Sequence, residues 1–259
     1  MIYLKQIEKS TDRTSGFPFE INAIRNLSYL EFTSEVTILV GANGSGKSTL
    51  IEAIAIASKR IAISGVPLDV DPSLAAIKAL SHTLRLVWNK RTHKGFFLRA
   101  EDFFKLAVRN RELTAEMERF ASQYDQERVK KMFLDQKRAV LNRYRGDLDE
   151  QSYGEGFLTV FGSRIVPGGL YFVDEPEAAL SPQAQLSLLY LINEAVKKDH
   201  CQFVIATHSP MLAAYPGALL LSLDGGTLKE LPYDELGFVD LYRRFLSDPQ
   251  SYLRRLFTP

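Results

Sequence analysis

The chain has 259 residues, of which 46% are hydrophobic and 24% charged, ordinary proportions for a folded globular protein. Its 32 basic and 31 acidic side chains leave a formal charge of +1, which excludes a chain-wide footprint for nucleic acid and leaves only local basic patches open. One cysteine, Cys201, excludes an intramolecular disulfide; no apolar run reaches a membrane span and the N-terminal MIYLKQIEKS lacks a signal-peptide core, so a soluble cytoplasmic protein is expected.

Residues 2–7 alternate as a short strand, and a polar loop follows. Phe17-Pro18-Phe19 and residues 21–30 are predicted as edge strands. Val36, Thr37, Ile38, Leu39 and Val40 then read as a buried strand, followed by Gly41-Ala42-Asn43-Gly44-Ser45-Gly46-Lys47-Ser48-Thr49 and a helix-like run over 50–57. Strand, G-x-x-x-x-G-K-S, helix is the phosphate-binding loop in its expected setting. Glycines let successive backbone N–H groups curl around a polyphosphate, and the helix that follows offers its own unpaired N–H groups to the same anion. Asn43, Gly44, Ser45, Gly46, Lys47, Ser48 and Thr49 are therefore expected to hold a nucleotide, with Lys47 reaching the β- and γ-phosphates and the Ser48 hydroxyl ligating Mg2+. The competing reading, a glycine turn that only caps a helix, does not account for both flanking elements. Phe17 and Phe19, upstream of the loop, are candidates for stacking on adenine or for plain core packing.

Pro67, Asp69, Asp71 and Pro72 mark a loop, and the runs 84–88 and 95–99 are predicted as a hairpin joined by the polar turn 89–94. From Glu101 to about residue 147, apolar side chains recur at helical spacing amid dense charge, which reads as a helical lobe inserted into an α/β core. Lys130-Lys131, Lys137-Arg138, Arg143 and Arg145 could touch nucleic acid, but their interleaving with Glu127 and Asp135 favours a solvated helix face. Heptads are not sustained long enough for a coiled-coil arm.

Leu170, Tyr171, Phe172 and Val173 form an apolar strand that ends in Asp174-Glu175-Pro176. Taken with the phosphate loop, Asp174 is expected to hold Mg2+ through water and Glu175 to orient and deprotonate an attacking water. Alone, the same residues could be a helix N-terminus with favourable charge. Residues 182–199 read as an amphipathic helix with Pro182 in its first turn. A buried strand over 202–207, the next in sequence after the one that carries Asp174, ends in His208, where ligands of open α/β sheets gather, so a hydrogen bond from His208 to a γ-phosphate is expected. Residues 218–223 and 227–231 make a closing hairpin around Asp224-Gly225-Gly226, and 236–256 is helical apart from Pro249, with Arg243-Arg244 and Arg254-Arg255 on the surface.

Phosphate loop, Asp174-Glu175-Pro176 and His208, in this order, resemble the ABC-type ATPases, a superfamily that includes transporter nucleotide-binding domains and the SMC, RecF and OLD-like ATPases. The resemblance directs attention to Gln151-Ser152-Tyr153-Gly154-Glu155, which matches the family's L-S-G-G-Q/E signature at Ser152, Gly154 and Glu155 and departs from it at Gln151 and Tyr153. Ala178-Ala179-Leu180-Ser181 looks like the D-loop. Phe-Pro-Phe and Gly-Phe-Phe-Leu-Arg-Ala-Glu further resemble small stand-alone AAA-family ATPases. Residues 89–101 contain no glutamine to serve as a Q-loop, a place that Glu101 could take.

The resemblance implies an α/β fold of the P-loop NTPase, ABC type: a mostly parallel core sheet, an N-terminal antiparallel β subdomain and an inserted helical lobe. The chain 1–259 would be a single domain, with a β-rich lobe over 1–100, a helical lobe over 101–156 and a catalytic half over 157–259. It implies Mg-dependent ATP hydrolysis, with Lys47, Glu175 and His208 catalytic and Ser48 and Asp174 on the metal. ATP would close a head-to-tail homodimer in which Ser152, Gly154 and Glu155 of one subunit meet the nucleotide of the other. The helical lobe would then act on an unknown protein or nucleic-acid partner in DNA maintenance or defence. Glu177 and Ser209-Pro210 resemble the OLD- and RecF-like branch. The alternative is the ATP-binding subunit of an ABC transporter, against which the missing Q-loop glutamine argues; a non-enzymatic nucleotide binder conflicts with the intact Lys47, Asp174 and Glu175.

Overall fold

Runs that are apolar at every position become interior strands, and runs that alternate become a smaller sheet with one wet face. The computed structural model describes residues 1–10, 15–124, 126–143 and 153–257. Its strands are β1 (Leu4–Lys9), β2 (Tyr29–Glu31), β3 (Val36–Val40), β4 (Ile61–Ala62), β5 (Leu84–Trp88), β6 (Phe96–Arg99), β7 (Leu170–Asp174), β8 (Gln202–Ala206), β9 (Leu219–Ser222) and β10 (Lys229–Glu230). The helices are α1 (Asn22–Arg25), α2 (Lys47–Ala57), α3 (Ala75–Ser81), α4 (Ala100–Gln123), α5 (Glu127–Arg143), α6 (Tyr153–Arg164), α7 (Pro182–Asp199), α8 (Pro210–Ala213), α9 (Gly237–Ser247) and α10 (Pro249–Phe257).

Strands pair in the order β10-β9-β3-β8-β7-β6-β4, all parallel except the β10–β9 pair, and separately as an antiparallel β2-β1-β5 sheet. Every residue of β3, β7 and β8 is buried, as parallel strands covered on both faces must be. Successive side chains feed two cores. Leu39, Phe172 and Val204 pack with α2 and β1 residues such as Leu50, Ile54 and Ile7, while Ile38, Tyr171, Val173 and Phe203 pack with Phe157 and Phe161 of α6 and Leu188 and Ile192 of α7. Tyr171 bridges the second core, with its ring centroid 4.9 Å from Phe96 and 5.0 Å from Phe203. Register aligns Arg99 with Asp174 and Asp174 with Ala206, so β6, β7 and β8 end together at one edge of the sheet.

Three expectations are corrected. Phe17-Pro18-Phe19 is a turn, not an edge strand. Residues 21–30 are not one edge strand: 22–25 form α1, and only 29–31 pair with β1. The buried side chains ahead of β2 are Ala23, Ile24 and Leu27, spaced for one helical face rather than for alternation. The runs 84–88 and 95–99 are not a hairpin either. β5 pairs antiparallel with β1, whereas β6 lies parallel between β4 and β7 in the large sheet. Burial decides it: all four β6 residues are buried, which needs a two-sided cover, while Arg85 in β5 is exposed. The crossover is held by Arg60, whose guanidinium donates to Thr92 O and Lys94 O, both at 2.7 Å. Gly95 sits at φ +114 where a Cβ would lie 1.9 Å from Leu170 O, so no other residue fits.

The charged segment after β6 folds as a helical hairpin. α4 and α5 run antiparallel, with Phe133 stacked on Phe120 and Tyr124 and an ion pair between Lys137 and Glu118. Lys130, Lys131 and Arg138 lie on its solvated side, as their interleaving with acids suggests.

Candidate active site

β3 delivers the chain to the glycine loop, and α2 begins at Lys47. Gly46 caps that helix in the left-handed region at φ 102, and a side chain there would press Ile21 at 2.8 Å. A second tie comes from across the sheet edge. Asp224, in the turn after β9, accepts the Ala42 N–H at 2.7 Å and so anchors the loop's entry. In sequence Asp224 reads only as a turn residue; no local pattern links it to a loop 182 positions away. The loop, Asp224, Glu20 and Asn22 line a cleft of about 380 Å³ that includes Asn43, Gly44 and Ser45. Ser45 Oγ is buried without a hydrogen-bond partner among the described residues.

Lys47 is 3% exposed, and its ammonium donates to Gly41 O at 2.9 Å and Ala42 O at 3.2 Å. Burial pushes its pKa down, opposed by the charges of Glu175 and Asp174. Ser48 follows, its hydroxyl donating to Asp174 Oδ1 at 3.1 Å. Asp174 ends β7 and is buried; burial, and then the charge of Glu52 on α2, pushes its carboxyl up to about 7. Glu52 is itself pushed up to about 7 by burial, against the pull of Arg99. These are hard oxygen donors, desolvated and short of positive charge, the chemistry that suits a divalent cation.

Glu175 stands in the left-handed region at φ 44 and ψ 52, sparsely populated for a residue with a side chain. Its N–H is fixed on Ala206 O at 2.9 Å, and the turn that follows, Pro176–Ala179, starts from this kink. The kink leaves the carboxylate half-exposed, with Oε1 3.3 Å from His208 Nε2. The same Nε2 lies 2.7 Å from Lys47 Nζ. Lys47, Ser48, Asp174, Glu175 and His208, predicted from separate stretches, thus meet at one sheet edge.

Other predicted residues fall elsewhere. Ser152 lies outside the described residues. Gly154 is in the first turn of α6, where an added Cβ would lie 3.5 Å from Ala184 Cβ and 3.7 Å from Ala179 O, beside the expected D-loop; Glu155 shares that turn. Phe19 is 4% exposed in the core and Phe17 is 60% exposed, so only Phe17 presents a free ring. Glu101 pairs with Arg99 at 3.1 Å. The cluster around Arg99 was not foreseen: its guanidinium also meets Asp102 twice at 3.1 Å, Asp71 at 2.9 Å and Glu52 at 3.4 Å. It joins α2, the 71–73 turn and the root of α4 next to Asp174.

A family model described as "AAA domain, putative AbiEii toxin, Type IV TA system" matches residues 68–214, and one described as "AAA domain" matches residues 19–60. The chain is similar to OLD nuclease of Thermus scotoductus, 44% identical over 45 residues, 17% of this chain and 8% of that protein. It is 22% identical over 195 residues to the energy-coupling factor transporter ATP-binding protein EcfA2 of Spiroplasma kunkelii, covering 74% of this chain and 62% of that one. Against the macrolide export ATP-binding/permease protein MacB of Shigella sonnei it is 22% identical over 233 residues, 90% of this chain and 34% of that one. The chain spans less than two thirds of the length of each of these relatives. Among solved structures it resembles the SMC head domain from Thermotoga maritima at 16% identity and a TM-score of 0.44, covering 88% of this chain and 98% of that one. For cbiO1 from Clostridium perfringens the identity is 16% and the TM-score 0.47, over 96% and 97%.

Proposed function

The chain belongs to the AAA-domain family of P-loop ATPases whose model spans residues 68–214, and on that premise we propose that ATP and Mg2+ are bound and turned over at the cluster of Lys47, Ser48, Asp174, Glu175 and His208. The observation that carries this is the approach of Lys47 to His208 at 2.7 Å, of His208 to Glu175 at 3.3 Å and of Ser48 to Asp174 at 3.1 Å.

Each side chain has a part that follows from its place. Asn43 through Thr49 present the loop and the start of α2 to the polyphosphate, and the Ser45 hydroxyl, without a partner among the described residues, would donate to it. Lys47 exchanges Gly41 O and Ala42 O for phosphate oxygens. Ser48 and Asp174 hold Mg2+, which when bound neutralises charge on the phosphates. Glu175, aimed by its backbone kink, orients a water and takes its proton. His208 donates to the γ-phosphate.

The reading extends to assembly. ATP closes two copies head to tail, with Ser152, Gly154 and Glu155 of one facing the nucleotide of the other, and the α4–α5 hairpin conveys closure to a protein or nucleic-acid partner in DNA maintenance or defence. The division into 1–100, 101–156 and 157–259 follows these three tasks, and the cytoplasm is their setting; no described helix is long and apolar enough to cross a membrane. A transporter ATP-binding subunit is the second reading, favoured by the match to EcfA2. Copurification with a membrane protein would select it.

Phosphate release measured against protein concentration tests the proposal. Turnover is expected to rise faster than linearly with concentration and to vanish in Lys47→Ala. Wild-type turnover in that variant overturns the site, and a Glu175→Gln protein that stays monomeric in Mg-ATP overturns the dimer.

A further inference from the structure

We propose that Glu177 is a positioning residue for hydrolysis: its carboxylate fixes the backbone of His208 and thereby the place of the imidazole between Lys47 and Glu175. The proposal rests on the ATPase site described above and names a residue that site does not use directly.

The chain leaves β8 at Ala206, and Thr207 still bonds back into the sheet, its N–H donating to Leu39 O at 3.1 Å. The next N–H, that of His208, has left the ladder and donates instead to Glu177 Oε1. Glu177 rides on the turn Pro176–Ala179, which starts at Glu175 and is closed by Ala178 N–H on Glu175 O and Leu180 N–H on Glu177 O, each at 3.1 Å. The turn and the residue that opens it therefore grip His208 twice. Glu175 meets its ring, and Glu177 holds its main chain. Both carboxylates issue from the same kinked segment.

The far side of His208 is also fixed. Ser209 caps α8, accepting the N–H groups of Met211 at 3.1 Å and Leu212 at 3.3 Å, while its hydroxyl donates to Gln185 Oε1 on α7. Gln185 in turn donates to Leu180 O at 3.2 Å, returning to the end of the Glu177 turn. His208 is thus suspended between two anchors that belong to one closed loop of hydrogen bonds, and Glu177 is its sole charged member. Its second oxygen, Oε2, is buried without a partner among the described residues. A turn former alone would not need a carboxylate half unsatisfied in the interior, since burying such a group is costly. What distinguishes Glu177 is the acceptor it brings to a catalytic histidine.

The test compares kcat and KM for Mg-ATP in wild type, Glu177→Ala, Glu177→Gln, His208→Ala and the Glu177→Ala/His208→Ala pair. Glu177→Ala is expected to lower kcat roughly tenfold with KM within about twofold, and Glu177→Gln, which keeps an oxygen acceptor, to recover most of it. The double variant should be no slower than His208→Ala, because Glu177 acts through that ring. Full kcat in Glu177→Ala, no recovery in Glu177→Gln, or a double variant slowed by the product of both effects overturns the proposal. A readout independent of turnover is the His208 imidazole signal in nitrogen-detected NMR of the nucleotide-free protein. Glu177→Ala is expected to shift it while leaving His82 and His93 in place; an unmoved His208 signal overturns the proposal. Absence of wild-type turnover would count against the ATPase site, and the NMR comparison would still decide the role of Glu177.

Discussion

The Lys47 ammonium lies 2.7 Å from His208 Nε2, although 161 residues separate them in the chain. The same nitrogen has Glu175 Oε1 at 3.3 Å on its other side. A neutral ring accepts from Lys47 at Nε2, and a ring protonated there donates to Glu175 instead, so one atom serves two neighbours of opposite charge. His208→Ala should lower kcat roughly a hundredfold while nucleotide affinity changes only a few-fold, the pattern of an interaction made in the transition state. Steady-state phosphate release with equilibrium nucleotide titration checks it; wild-type kcat would remove His208 from the chemistry.

Stability without nucleotide should depend on pH through Asp174 and Glu52, both pushed up to about 7 from ordinary values of 3.8 and 4.5. Between those ordinary values and about 7 the folded chain holds more protons than the unfolded one, so stability falls as pH rises across that window and levels off above it. Asp174→Asn removes the buried charge. A shift of roughly three units corresponds to about 4 kcal/mol; burial is its largest cause and the replacing amide must itself be buried, so about 2 kcal/mol of stabilisation at pH 8 is expected. Thermal melts of both proteins from pH 5 to 8 test this, the expected result being a flatter and higher curve for the variant. Parallel curves would contradict it.

Arg99 is a buried cation among Glu52, Asp71, Glu101 and Asp102. Removing one partner of a buried ion cluster strands the others, at roughly 3–5 kcal/mol. Arg99→Gln should lose that much in urea unfolding, and adding Glu52→Gln should restore part of it. A loss below about 1 kcal/mol would mean that water already screens the cluster, as it does for exposed ion pairs.

Two glycines give a contrast in backbone terms. Gly65, at φ +90, has open space where a Cβ would go, whereas at Gly95 the Cβ would meet Leu170 O. Gly65→Ala should cost about 1 kcal/mol and Gly95→Ala at least about 3 kcal/mol or the soluble protein itself. Melting temperature and soluble yield measure both. Equal effects would argue that β6 and β7 can spread apart.

The phosphate loop and the sheet edge that gathers Asp174, Glu175 and His208 were legible because each follows an unbroken apolar run, and a parallel sheet brings the ends of such runs together. The 84–99 region was not. Two strand-like runs with a polar link fit a hairpin equally well, and the clue lay in patterning: Arg85 interrupts the first, while Phe96, Phe97 and Leu98 admit no wet face. α1 was hidden by brevity, since four residues carry too little periodicity. Arg99, Glu52 and Asp71 come from three separate elements, so their meeting is a property of the fold; the one local hint was an arginine ending a fully buried strand, where that residue rarely sits unpaired. Asp224 and Glu177 act on backbone N–H groups of distant residues, and although Glu177 belongs to a family-like motif, no local pattern shows which N–H either one meets.

The α4 helix leaves the Arg99 cluster and runs for 24 residues, about 36 Å at 1.5 Å per residue. On the proposed function such a rod would be a lever with its fulcrum one strand away from Asp174. Pivoting it by about 10° would sweep the far tip through about 6 Å, so a change in charge too slight to disturb the sheet would arrive at Gln123 as a stroke the size of a whole side chain.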